Sequence, residues 1–338
     1  WIALAALAAG LLGAAPAGAE VQAGITAAEL AARADLWPEK AALVKDVRLQ
    51  GMAPLAKGTE LGVLELTPSM VTLATDQVLF DLPLGDTDVL ERARAAIARM
   101  TPEQLALTEA TLRERSDLWP LEVALTAELG FTNGVVLEVG RTVRLRDLAP
   151  DGVWLCDRPT GEVFQAAVQE TDLVRRARER LALPEAEREP FFVRALEASI
   201  EHDGAIGAPG ALKGAELLLV YKGRKGCGRC AAFLPELRKF YERVKPAHAG
   251  FEVLYASQDA TSDLAREHRA EMKIPGLAIA LERNLEAAHL ASISGQLLPT
   301  VLLFDRKGEL LFRNHPSAGS PTAEDVLAEL EKRLAAHR

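Results

Sequence analysis

Cysteine is scarce in this chain, with three in 338 residues. So few thiols cannot build a disulfide framework. Cys227 and Cys230 form the one closely spaced pair, so a four-ligand zinc site lacks its second half, and the six histidines show no spacing that would complete it. No metal or cofactor is expected. Positive charge is also short: 39 Lys and Arg face 48 Asp and Glu, a formal net charge of −9. No long basic run or aromatic–basic alternation occurs, so nucleic acid is not the expected partner. Hydrophobic residues at 49% and charged residues at 26% are ordinary for globular protein, and the length implies two or three domains.

Long apolar runs are absent apart from Trp1–Ala15, which Pro16 and the small residues Ala17-Gly18-Ala19 follow. The run is short for a spanning helix, which needs about 20 residues, and suits a cleaved secretory signal over residues 1–19. Without Met and a basic start, that signal reads as truncated at its N-terminus. The expected location is periplasmic or secreted, and a retained membrane anchor is the other reading.

The first half repeats itself. Asp35-Leu36-Trp37-Pro38 recurs 82 positions later as Asp117-Leu118-Trp119-Pro120. The same offset pairs Leu43 with Leu125, Leu55 with Leu137, Gly58 with Gly140, Pro68 with Pro150 and Val71 with Val153. After two extra residues in the second copy, Phe80 matches Phe164 and Thr87-Asp88 matches Thr171-Asp172. Matches this dense mark a tandem repeat. A helical lead-in precedes each copy, short alternating runs such as Val143–Leu145 and Val153–Leu155 predict strands, and a helix follows from Thr87 or Thr171. With the turns Lys57-Gly58-Thr59 and Val139-Gly140-Arg141-Thr142, each copy resembles a bacterial SH3-like barrel, which implies a docking unit for a peptide or envelope partner, or a spacer. Cys156 falls at a strand position whose counterpart is Ala74, so a small buried site is expected there.

The expected division is a signal at 1–19, modules at 24–98 and 103–182, a helix and linker at 183–214, and a last domain at 215–338. Glu187–Ile200 reads as a helix, and Gly204–Gly214, rich in Gly, Ala and Pro, as a linker.

The last domain reads as strands alternating with helices. The apolar strand Leu217–Tyr221 leads to Cys227-Gly228-Arg229-Cys230 at a helix start. Further strands are expected at Phe251–Tyr255, Pro299–Phe304 and Glu309–Phe312, with helices through Ser262–Met272 and from Thr322. That order argues for an α/β fold with a mixed sheet. Cysteines three apart can close a small disulfide ring, and a helix N-terminus favours a thiolate at the first. Lys222, Arg224, Lys225 and Arg229 add positive charge to the same loop.

Four features carry a specific resemblance: the strand into Cys227–Cys230; Pro235 five residues on; Leu298-Pro299-Thr300 before an apolar strand; and Phe251–Ser257 with Asp259, followed by Glu271–Pro275. The region resembles a thioredoxin fold of the tryparedoxin/nucleoredoxin-like or TlpA-like type. That likeness implies Cys227 as nucleophile, Cys230 as resolving thiol and a cis peptide at Pro299. It also implies substrate docking along Leu298, Gly228 and Arg229, with protein disulfides as substrates and an upstream electron donor. The chain departs from the family at Gly226 and Gly276, where Trp is usual, and at Tyr221, where thioredoxins carry a buried Asp. The leading expectation is an exported thiol–disulfide oxidoreductase. The alternative is a non-catalytic envelope adaptor whose tandem barrels bind a partner and whose two cysteines form a structural disulfide.

Overall fold

The computed structural model describes residues 24–49, 53–75, 78–132, 134–202, 204–283, 297–315 and 319–336. The expected signal at 1–19 lies outside the described residues, and among these no helix is long and apolar enough to cross a membrane. Two compact units divide the chain. One draws on residues up to Thr111 with Leu125–Gly140 and Gln169–Arg178; the other on Leu112–Ala124, Arg141–Val168 and Glu179 onward.

In the first unit, strands β1 (Lys40–Ala42), β2 (Glu60–Leu66), β3 (Met70–Ala74) and β4 (Leu79–Pro83) form an antiparallel sheet in sequence order. Alternating apolar residues put Leu61, Leu66, Val71, Leu73 and Leu82 in the core, where they meet Val89, Ala93 and Ile97 of helix α1 (Val89–Ile97). The same unit holds a two-stranded ribbon, β6 (Leu129–Gly130) with β7 (Val136–Leu137), which follow β5 (Glu122–Ala124) in the chain.

In the second unit, β5, β8 (Thr142–Ala149), β9 (Gly152–Cys156) and β10 (Val163–Ala166) form a sheet ordered β10-β9-β8-β5. The repeat extends to detail. Register shifts fall at Val63/Glu65 and at Leu145/Asp147, 82 positions apart. Trp37 donates its indole N–H to the Leu30 carbonyl, and Trp119 donates to Leu112, in each case seven residues back. Arg33 grips Asp35 with two hydrogen bonds, as Arg115 grips Asp117.

No closed barrel is found in either repeat among the described residues. Each repeat forms a four-stranded antiparallel sheet, and single bridges, Leu43 with Thr87 and Leu125 with Thr171, tie the segment after its last strand back to the end of its first. Alternation predicts strands and buried faces. Closure depends on edge pairing, which alternation does not encode.

The remainder of the second unit is built on a seven-stranded mixed sheet, ordered β12-β11-β15-β14-β13-β16-β17. Its strands are β11 (Ile200–His202), β12 (Ala205–Ile206), β13 (Leu217–Gly223), β14 (Phe251–Ser257), β15 (Leu277–Ile279), β16 (Thr300–Asp305) and β17 (Leu310–Arg313). All residues of β13 are buried, and they divide with period two. Leu217, Leu219 and Tyr221 face Phe233, Leu237 and Phe240 of α4 (Gly228–Val244), with Val326 and Leu330 of α6 (Ala323–Ala336). Leu218 and Val220 face Phe192, Val193 and Leu196 of α3 (Phe191–Glu197). An apolar run without alternation is what a strand covered on both faces requires. Helix α2 (Leu173–Leu181) follows β10 in the chain, most of it in the first unit, and α5 (Ser262–Met272) occupies the span expected of it.

Two expectations in the 183–214 segment change. The helix begins at Phe191, because Pro190 takes the N-cap position and neither donates an amide nor lets its predecessor enter the helix. The stretch expected as a linker contributes β12, and Ile200, expected in the helix, opens β11, which pairs antiparallel with β15.

Candidate functional site

Helix α4 starts where β13 ends, after a short loop. Cys227 takes the N-cap position in extended conformation (φ −81°, ψ 105°), and its sulfur accepts the Cys230 amide at 3.2 Å. A sulfur there faces the unsatisfied amides and positive end of a 17-residue helix, which favours its thiolate when reduced. Cys227 and Cys230 are joined as a disulfide with Cα atoms 5.2 Å apart. Cys227 is half-buried and Cys230 fully buried, so an incoming group reaches Cys227 first. Gly228 and Arg229, the expected docking residues beside it, are exposed in the first turn.

The turn before Cys227 explains the missing Trp. The Cys227 amide donates to the Arg224 carbonyl at 3.3 Å, and Gly226 has φ +79°. That is a type II turn, whose third position requires positive φ and therefore favours glycine.

The Leu298–Pro299 peptide is cis. Thr300 pairs in register with Lys222, which places the proline turn at the sheet end from which the cysteine loop departs. Asn314, which carried no signal in the sequence, holds this turn. Its Nδ2 donates to the Pro299 carbonyl at 2.8 Å and its Oδ1 accepts the Val301 amide at 2.7 Å. Leu298 is half-buried, and the Thr300 hydroxyl donates to the Leu297 carbonyl at 2.6 Å.

The loop is less basic than its sequence suggests. Lys225 Nζ lies 2.9 Å from Glu267 and 3.1 Å from Glu271 of α5, so its charge is spent there. Lys222 is buried in β13, and burial pushes its ammonium below the usual lysine range. Arg224 and Arg229 remain exposed at the loop. Tyr221 is fully buried, with its hydroxyl pushed above the usual range by burial. Cys156 is buried in β9, outside the disulfide. Among the described residues no cluster of metal-ligating side chains occurs.

Comparison with known proteins places this geometry in a class. A family model described as thioredoxin-like matches residues 214–310. Nucleoredoxin of Bos taurus is 28% identical over 95 residues, covering 28% of this chain and 21% of that protein. Human nucleoredoxin is 27% identical over the same shares, so the chain matches about a fifth of the length of these relatives. Among solved structures, the thioredoxin domain of a thiol-disulfide oxidoreductase from Bacteroides vulgatus is 22% identical, covering 40% of this chain and 91% of that one (TM-score 0.32). Native tryparedoxin I from Crithidia fasciculata is 20% identical, covering 42% and 88% (TM-score 0.32). The C-terminal region is a thioredoxin-like domain with tryparedoxin- and nucleoredoxin-like neighbours.

Proposed function

We propose that the chain is a thiol–disulfide oxidoreductase acting on protein disulfides through Cys227 and Cys230. The observation that carries this reading is the asymmetry of the pair: one sulfur is accessible at a helix N-terminus and the other is buried one turn inside. In the reduced state the Cys227 thiolate attacks one sulfur of a substrate disulfide. A Cys227–substrate bond forms as the substrate's own S–S bond breaks, and the first substrate thiolate leaves. Cys230, deprotonated, then attacks the Cys227 sulfur. The mixed disulfide breaks, Cys227–Cys230 forms, and the second substrate thiolate departs and takes up a proton. Two electrons pass to the substrate, and an upstream dithiol donor restores the pair. Leu298 and Pro299, with Gly228 and Arg229, are the proposed docking edge.

The apolar stretch at residues 1–19 supports an exported protein, and the repeated sheets support a docking role toward an envelope partner, in the manner of SH3-like modules. A Cys230→Ser variant is expected to hold its substrate as a mixed disulfide, and Cys227→Ser to lose insulin reduction. Full reduction activity in Cys227→Ser sinks the reading. The adaptor alternative draws on Tyr221 and Gly226, both departures from the family; a reduction potential below about −300 mV would favour a structural disulfide.

A further inference from the structure

The turn that launches Cys227 is tied to a neighbouring loop. Within Arg224–Cys227, the Cys227 amide closes the turn, while the Lys225 amide points away and donates to Asp259 Oδ1 at 2.8 Å. The Gln258 amide donates to the Gly223 carbonyl at 2.8 Å, so two bonds join this loop to the one after β14.

Asp259 is no surface carboxylate. Its side chain is only 5% exposed, as is that of His268. Oδ2 accepts from the Ser257 hydroxyl at 2.8 Å and lies 3.4 Å from the Tyr255 hydroxyl and 3.5 Å from His268 Nδ1. The Tyr255 hydroxyl and His268 Nδ1 are 3.0 Å apart, and the Ser257 oxygen accepts the Asp259 amide at 3.0 Å. If His268 Nδ1–H donates to Tyr255 and Tyr255 donates to Asp259, every hydrogen in the cluster has an acceptor. A buried carboxylate held by this many donors keeps a single position and passes that rigidity to its last donor, the Lys225 amide.

We propose that Asp259 is a positioning residue for the dithiol: by accepting the Lys225 amide it fixes the Arg224–Cys227 turn and holds the Cys227 sulfur over the first turn of α4. This rests on the oxidoreductase reading above. Two effects of removing Asp259 have opposite signs. Loss of the clamp frees the sulfur from the helix N-terminus, so the thiol ionises less readily. Loss of a buried negative charge makes the thiolate easier to form. The sign of the change therefore separates positioning from simple electrostatics.

The test is the pH profile of Cys227 alkylation by iodoacetamide in the reduced full chain, followed by mass spectrometry. Asp259→Ala is expected to alkylate about tenfold more slowly at pH 7, with its profile moved to higher pH. Asp259→Asn, whose amide oxygen still accepts the Lys225 amide, is expected within about twofold of the unmodified protein. Lys225→Pro removes the donor at a turn position that proline tolerates, and is expected to move the profile as Asp259→Ala does. Lys225→Ala keeps the amide and is expected to stay near the unmodified profile. A profile moved to lower pH in Asp259→Ala, an unmoved one, or an Asn variant matching Ala overturns the proposal. Where Asp259→Ala does not fold, Lys225→Pro against Lys225→Ala decides alone, and identical profiles overturn it. Iodoacetamide needs no protein substrate, so an unmodified chain without turnover counts only against the oxidoreductase reading.

Discussion

The rings of Tyr221 and Tyr255 stack 5.8 Å apart at 23°, on adjacent parallel strands and directly in register. Their hydroxyls fare differently. Tyr255 reaches His268 and Asp259, whereas the Tyr221 hydroxyl is buried without a hydrogen-bond partner among the described residues. It leans over Gly223, where a Cβ would overlap it. Tyr221→Phe keeps the stack and deletes the unsatisfied group, and is expected to stabilise the protein by up to about 1 kcal/mol. Urea denaturation reads this directly; destabilisation would show that the hydroxyl is bonded in solution.

Restoring the family's Trp before the first cysteine is expected to harm this protein. At φ +79°, Gly226 holds a conformation that a bulky residue adopts at a cost of about 1–2 kcal/mol. Gly226→Trp should therefore melt at lower temperature and reduce insulin more slowly, with Gly226→Asn milder because Asn tolerates positive φ. A Trp variant as stable and active as the unmodified chain would exclude the type II turn.

The sheet of the second repeat predicts an acid-sensitive contact. The buried Asp157 carboxylate accepts from Arg141 Nε at 2.8 Å and from the Thr160 hydroxyl at 2.8 Å. The Arg141 guanidinium holds its carboxyl below the usual carboxylate range. Because the folded-state value is the depressed one, the stability is fully present above the unfolded value near 4 and is lost as pH falls through the folded value. Asp157→Asn is expected to cost about 1–3 kcal/mol at pH 7. The gap between the two proteins should narrow toward pH 3 in denaturant titrations, and a gap of constant size contradicts the assignment.

Parts of this fold and site were legible in the sequence because they are local. The DLWP turns carry the same Arg–Asp and Trp–carbonyl contacts in both copies because all their partners lie within a few residues. The Cys227–Cys230 pair and the strand before it also declare themselves by spacing. What escaped depends on distant chain. Ile200 reads as a helix residue until β15, 79 positions on by register with Ile279, claims it as a strand. Asp259 belongs to the pattern that carries the resemblance, but His268, nine positions on across a loop and a helix, meets it only in the fold. Asn314 meets Pro299 only once β17 has folded back on β16.

Every residue of β13 is buried, between β14 and β16, in the interior of the sheet. Amides in such a strand exchange with solvent only when the whole domain opens, so the support of the dithiol is the part of the molecule slowest to yield. Between that support and the reactive sulfur stand the four residues from Arg224 to Cys227, tied to Asp259 through the Lys225 amide. The reactive sulfur hangs by a short hinge from a fixed root, and the stiffness of that hinge sets how far it can travel toward a partner.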